Sequence, residues 1–185
     1  MIPSDAKLVF KGKLFDVYQW EQEQFDGTYK TYERLRRKPS VTILPITEDG
    51  KFLICEEEQP SRGKFLSIPG GQVDEGDASP EIAAARELLE ETGYMGTLKL
   101  WMQTHPYGNK IEWDVHNYIA RGCRRIAEQK LDSGERIRPF LVDFEKFIEI
   151  VLYDENFRNV EVTLAVMDAM RKTRGLDELK KFLIG

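Results

Sequence analysis

Cysteine and histidine are scarce in this 185-residue chain, at two of each. Cys55 and Cys123 are too few for a disulfide framework or a four-ligand thiolate zinc site. So little thiol chemistry makes a reducing, cytoplasmic setting the expected one. Long apolar runs are missing too. None approaches the ~18 residues that would span a bilayer, so no membrane partner is expected. The opening Met1-Ile2-Pro3-Ser4-Asp5 has neither a charged region nor an apolar run after it, so a signal peptide is not expected. An excess of positive charge is also absent. Lys and Arg total 27 against 32 Asp and Glu, giving a net charge of −5 and a pI near 5.3. That balance weighs against nucleic acid as a partner. An acidic protein that handles phosphates would need metal ions. Repeats and low-complexity segments are absent as well.

What is present reads as one globular domain, or a domain with an arm. Aromatic and β-branched residues at Leu8–Phe10 and Leu14–Trp20 read as strands. Asp26-Gly27 marks a hairpin turn, and Tyr29–Leu35 resumes the strand pattern. Val41–Ile46 looks like a buried strand, with Lys51–Cys55 returning antiparallel after Asp49-Gly50. The period turns helical at Ser79, a natural N-cap, with Pro80 at the first helical position and Gly93 placed to end the helix. Further strands are expected near Leu98–Gln103, Trp113–Ala120 and Ile137–Val142. Helices are expected over Phe144–Tyr153, Asn159–Lys172 and Leu176–Leu183. Strands, one central helix, more strands and a helical tail make an α+β chain with a mixed or antiparallel sheet.

The chemistry concentrates between Gly70 and Tyr94. At 100° per residue, Ile82, Ala85, Leu88, Leu89 and Thr92 share one side of the helix. Glu87, Glu90 and Glu91 gather on the other, with only Ala83 and Ala84 among them. An acidic helix face is by default a solvated one, and three features weigh against that here. Glu87 and Glu91 are spaced i, i+4, where like charges repel by roughly 0.2–0.5 kcal/mol. Neither has a basic residue three or four positions away. Glu90 and Glu91 also lie in the last turn, where the helix dipole disfavours anions by about 0.3–1 kcal/mol each. A divalent cation turns these costs into ligation, and oxygen donors suit Mg²⁺ or Mn²⁺. Gly70-Gly71 allows close backbone approach, so a Gly70 carbonyl is a further candidate ligand. The same pair also reads as an ordinary tight turn.

This stretch resembles the Nudix box, G-x5-E-x7-R-E-U-x-E-E-x-G-U, where U is bulky and apolar. Arg86-Glu87-Leu88-Leu89-Glu90-Glu91-Thr92-Gly93 matches its second half, Tyr94 takes the last apolar place, and Gly71 matches the first glycine. Asp77 stands where the first Glu belongs, with Glu75 as the alternative, and eight residues rather than seven separate Asp77 from Arg86. The resemblance implies an α/β/α sandwich around a mixed sheet and hydrolysis of a nucleoside diphosphate linked to another moiety. It implies Glu87, Glu90 and Glu91 as cation ligands and Arg86 as the residue that orients a glutamate.

Beyond the box the chain is similar to ADP-ribose pyrophosphatases. Leu53–Pro60 occupies the place of their V-x-Q-Y-R segment and lacks its arginine, which Arg62 or Lys64 would replace. Ile68-Pro69-Gly70-Gly71 corresponds to their L-P-A-G. Thr104-His105-Pro106-Tyr107-Gly108-Asn109-Lys110-Ile111-Glu112 looks like their S-P-G-x-x-x-E loop. That loop implies Pro106 as a marker of ADP-sugar specificity. It implies Glu112 as general base or metal ligand, against a surface acid at a strand edge. The basic run Arg34-Arg36-Arg37-Lys38 reads either as a solvated loop or as a phosphate or nucleotide contact, and Arg34, Arg62 and Gly71 are the further candidate substrate contacts. Trp20, Tyr29 and Tyr32 are candidates for base stacking. His105 and His116 are given no role, Cys55 reads as a small buried residue, and the arginines around Cys123 would lower its pKa.

The resemblance divides the chain into a dimerising strand arm (1–40) and a hydrolase domain (41–185). It implies Mg²⁺-dependent cleavage of ADP-ribose to AMP and ribose 5-phosphate by a homodimer. Another NDP-sugar such as GDP-mannose, or a dinucleotide, is the alternative substrate. A nucleotide-sensing module without catalysis is the alternative function.

Overall fold

The computed structural model describes residues 1–106, 108, 110–173 and 175–185. Tyr107 and Asn109, inside the S-P-G-like loop, lie outside the described residues. Strands β1 (Lys7–Lys11), β2 (Asp16–Glu23) and β3 (Tyr29–Arg36) form an antiparallel meander. The turn between β2 and β3 closes at Gly27, with Thr28 N–H donating to Asp26 Oδ1 at 3.0 Å. Next come β4 (Ser40–Thr47), β5 (Phe52–Gln59), β6 (Arg62–Ser67), β7 (Gly70–Gln72) and helix α1 (Pro80–Thr92). Then follow β8 (Tyr94–Thr104), β9 (Ile111–Glu112), β10 (Val115–Arg125) and β11 (Arg136–Val142). Helices α2 (Phe144–Tyr153), α3 (Val160–Thr173) and α4 (Leu176–Ile184) close the chain.

Two sheets result. The first has the order β1-β2-β3-β9, and its last pair is parallel. The second runs β11-β5-β4-β10-β8, with β6 on β5 and β7 on β4. In it β4 and β10 are parallel and the other pairs antiparallel, so the sheet is mixed. Strand β4 is buried almost throughout because both faces are covered. Val41 and Ile43 pack with Ala83, Ala84 and Leu88 of α1. Leu44 and Ile46 turn the other way, into a core with Phe147, Val151, Val162, Val166, Leu179 and Leu183 from α2, α3 and α4. Phe52 stacks on Phe147 at 4.4 Å between ring centroids. Helix, mixed sheet, helices is the α/β/α sandwich expected from sequence.

The boundaries of α1 follow from its caps. Ser79 Oγ accepts the Ile82 N–H, and Gly93 ends the helix at φ 75° with its N–H on the Leu89 carbonyl. A side chain at Gly93 would put its Cβ 2.2 Å from the Ala127 carbonyl oxygen. The helix face differs from the wheel reading. Ala83 and Ala84 are fully buried, whereas Ile82 is 52% exposed. Small side chains let α1 settle closely onto β4 and β7, and the larger Ile82 is turned outward. The same rotation buries Glu91, which is 6% exposed. Glu91 therefore lies between helix and sheet, while Glu87 and Glu90 stay partly exposed.

Candidate functional site

The centre of the site is the guanidinium of Arg86. Its Nε and Nη2 donate to Asp77 Oδ1 at 3.1 Å and Oδ2 at 2.8 Å, a bidentate pair. Nη2 also donates to the Gln72 carbonyl, at 3.1 Å. Nη1 turns to the acids, reaching Glu87 Oε1 at 2.9 Å and Glu90 Oε2 at 3.1 Å. These partners raise the arginine pKa still further, the Asp77 hydrogen bonds foremost. Asp77 thus anchors the arginine. Glu75 is exposed and pairs with Lys38 at 3.4 Å, so it does not take that place.

Glu91 is held from the other side, where the Gly70 N–H donates to its Oε2 at 2.9 Å. Burial pushes its carboxyl well above the usual range, against the Gly70 bond and with help from the charges of Glu57, Glu87 and Glu135. Burial also raises Glu87, and Arg86 opposes the rise. Gly71 makes the close fit possible. A Cβ there would lie 2.2 Å from Glu87 Oε1, so a larger residue would fill the cradle that holds this carboxylate.

The structure brings Arg86, Glu87, Glu90, Glu91, Gly70 and Gly71 together. Glu112 goes elsewhere. Its Oε2 accepts from Arg36 Nε at 2.9 Å and Nη2 at 2.8 Å, and its Oε1 accepts the Ile2 N–H at 3.1 Å. Burial is outweighed by these bonds, and its pKa falls below the ordinary value. Arg34 lies in β3 with its guanidinium 5.8 Å from the centre of the Trp20 ring, and Tyr32 is beside that ring at 6.1 Å. Pro106 is half-buried just beyond β8. Arg62 stacks over Phe65 at 4.9 Å and lines a cavity of about 640 Å³ with Glu58, Ser61, Ser133, Glu135 and Arg136. His105 pairs with Asp114 at 2.6 Å on the surface. Cys55 is buried as expected. Cys123 departs from expectation: burial pushes its pKa up to about 11, because its side chain is inside the core, while Arg124 and Arg125 are exposed and Arg121 donates to the Phe182 and Leu183 carbonyls.

Two acids that bear on the charge of the α1 glutamates escaped the sequence reading. Glu57 and Glu135 both act on the Glu91 charge, and Glu135 also acts on Glu87 and Glu57. The signal for Glu57 is strand alternation, which sends it to the face opposite Glu56 and Glu58. Glu135 lies in the stretch before β11, where no local pattern marks it.

A model of the NUDIX domain matches residues 36–164. The chain belongs to the Nudix family. It is 30% identical over 147 residues to an ADP-ribose pyrophosphatase of Bacillus subtilis (strain 168), covering 77% of this chain and 78% of that one. It is 29% identical over 148 residues to a methanol dehydrogenase activator of Bacillus methanolicus, covering 77% and 72%. The crystal structure of an ADP compounds hydrolase has the same fold, with a TM-score of 0.73 at 22% identity over 91% of this chain and 92% of that one.

Nudix hydrolases work with a divalent cation, and the residues here fit one. The donors are carboxylate oxygens of Glu87, Glu90 and Glu91, the chemistry that hard cations take. Gly71 leaves room beside Glu87, and Glu91 is buried among like charges that a cation would offset. Among the described residues no group of three or more acids, cysteines or histidines is placed so as to hold a metal ion as it stands. Instead Arg86 draws Glu87 and Glu90 to itself. Among the same residues no helix is long and apolar enough to cross a membrane.

Proposed function

We propose that this Nudix protein cleaves the diphosphate of ADP-sugars, with ADP-ribose as the substrate and AMP and ribose 5-phosphate as products. The carrying observation is the acidic cluster of α1, with Glu91 buried and with Arg86 and Gly71 shaping it. Similarity to the Bacillus subtilis ADP-ribose pyrophosphatase supports the choice of substrate. Mg²⁺ at Glu87, Glu90 and Glu91 would neutralise the diphosphate and favour in-line attack. Arg86 keeps Glu87 and Glu90 oriented, and the Gly70 N–H fixes Glu91. A water oxygen forms the new bond to one phosphorus, the bridging P–O bond breaks, and the other phosphate leaves with the electron pair.

The water proton goes to Glu135. That carboxylate borders the cavity and acts electrostatically on Glu57, Glu87 and Glu91, whereas Glu112 is occupied by Arg36. The sugar end of the substrate is assigned to the cavity beside Arg62 and Glu135, and the adenine to Trp20 and Arg34. Leu8, Val9, Phe10, Leu14, Phe25 and Tyr29 are exposed on the first sheet and its turns. Their apolar surface supports a homodimer through the 1–40 arm. Free, buried cysteines and the acidic balance support a cytoplasmic enzyme with no nucleic-acid partner.

The test is incubation with ADP-ribose and Mg²⁺, with products identified by mass and GDP-mannose and a dinucleotide run alongside. AMP from ADP-ribose is expected. Tight binding of these compounds with none of them cleaved would leave a nucleotide-sensing module. In the same assay Glu135→Gln is expected to lower kcat by roughly 10²-fold or more, the range of a lost general base.

A further inference from the structure

The arginines at the end of β3 differ in what they hold. Arg36 donates to Glu112 Oε2 at 2.9 Å and to the Tyr18 hydroxyl at 3.2 Å. Arg37 lies over the Trp113 ring at 4.4 Å. Among the described residues the Arg34 side chain has no hydrogen-bond acceptor and no carboxylate within ion-pair distance, and its Nε is buried without a partner. A buried donor left unmet is costly, so Arg34 calls for an acceptor that its surroundings do not supply.

Those surroundings are aromatic. In the β2–β3 register Trp20 lies opposite Tyr32, and Tyr18 opposite Arg34. Alternation puts all four on one face of the sheet. The Trp20 and Tyr32 rings are 6.1 Å apart, and Tyr32 is 45% exposed. The Arg34 guanidinium carbon is 5.8 Å from the centre of the Trp20 ring. A flat ring system can stack on this face with Arg34 at its edge. Two acceptors on the face are already taken. The Tyr18 hydroxyl accepts from Arg36, and Gln22 Oε1 accepts the Trp20 Nε1–H at 3.0 Å. The Tyr32 hydroxyl donates and accepts alike, so it does not discriminate, whereas a guanidinium only donates.

A base that meets a donor-only group must offer acceptors. Adenine presents the N7 acceptor beside its N6 amino donor. A 6-oxopurine presents N7 and O6, two acceptors that one guanidinium takes together. We propose that Arg34 is a specificity-determining residue that admits 6-oxopurines, so that hypoxanthine and guanine nucleoside diphosphate sugars are cleaved alongside ADP-sugars. Water adds across the same diphosphate bond, giving IMP or GMP and the sugar phosphate. The inference rests on the placing of the base at Trp20 and Arg34 in the proposed function.

The test compares IDP-ribose with ADP-ribose, which differ only in the base, on the full chain with Mg²⁺. The wild type is expected to cleave IDP-ribose with a kcat/KM at least equal to that for ADP-ribose. Arg34→Gln is expected to lower the IDP-ribose value by about 10-fold or more, the size of a lost bidentate contact, and the ADP-ribose value by clearly less. An equal loss on both substrates would place Arg34 at the phosphates and overturn the proposal, as would a wild type that favours ADP-ribose. If Arg34→Gln loses its far-UV circular dichroism, Arg34→Lys is read in its place with the same outcomes, since it keeps the charge and loses the fork. Calorimetric titration with IMP and AMP separates this inference from the hydrolase reading. Tighter binding of IMP that Arg34→Gln abolishes, in a chain that cleaves neither sugar nucleotide, would sink the hydrolase reading and leave this one standing. Cleavage of ADP-ribose with no Arg34-dependent base preference would do the reverse.

Discussion

The end of α1 and the β3–β9 edge treat glutamate in opposite ways. At α1, Glu91 is buried against other acids, and its carboxyl is pushed up. At the edge, Glu112 meets Arg36 and the Ile2 N–H, and its carboxyl is pulled down. The first arrangement costs the metal-free protein free energy that a bound cation would offset. The second is a fastener that ties strand to strand and to the N-terminus. Charge alone does not mark a catalytic acid; the state of its neighbours does.

The sharpest way to break this contrast is Glu91→Gln. Activity with Mg²⁺ is expected to fall by at least the ~10²–10³-fold that loss of one charge-stabilising group costs. The metal-free protein should nevertheless melt higher at neutral pH. The amide oxygen still accepts the Gly70 N–H, while an uncompensated buried charge is gone. Calorimetry without metal and turnover with metal check the two halves. A loss of both activity and melting temperature would mean that Glu91 is structural.

Next in size is Gly71→Ala. Its Cβ would fall within 2.2 Å of Glu87 Oε1, and the flexible carboxylate would yield before the backbone does. Turnover is expected to drop about 10-fold or more, as misplacement of a catalytic group does. The melting temperature should change little. Gly70→Ala is the contrasting substitution, because its Cβ would meet the Val41 carbonyl oxygen at 2.3 Å, which is backbone. That variant should lose stability as well.

The pH dependence of stability separates the two regions again. Glu91 has a folded pKa above its unfolded one, so the unfolded chain releases the proton first. Its contribution is full below the ordinary value of 4.5 and is lost as pH rises through the raised folded value. Glu112 has the opposite sign. Its contribution is full above 4.5 and is lost as pH falls through its lowered folded value. Metal-free Glu91→Gln should therefore flatten the alkaline limb of a melting-temperature profile, and Glu112→Gln the acidic limb. Identical profiles for the two variants would erase the distinction.

Much of this was legible because it is local. Ser79, Pro80 and Gly93 define α1 within one turn of its ends, and the apolar run of β4 announces a strand covered on both sides. The spacing of Arg86, Glu87, Glu90 and Glu91 carries the family. What escaped depends on contacts between distant residues. Ile82 outranks Ala83 in hydrophobicity, yet closeness to β7 selects the smaller side chain. Arg36 and Glu112 are brought together by a two-residue parallel strand, a pairing that no local pattern signals. Glu57 falls on the face of Leu53 and Cys55 through the register of β5 with its neighbours, and a shift of one residue would have put Glu56 or Glu58 there instead.

The smallest effect is expected at the fastener. Glu112→Gln removes a partly exposed ion pair with Arg36, worth up to about 1 kcal/mol in such settings. The amide oxygen can still accept from Ile2 or Arg36, so the edge strand should hold. With saturating ADP-ribose, kcat should stay within about twofold of wild type, because Glu112 neither touches the α1 acids nor is free to take a proton. A fall of the size expected for Glu135→Gln would move the proton acceptor to Glu112. It would also mean that the Arg36 pair opens when substrate binds, which a double variant with Arg36→Ala would then reveal as a coupled loss.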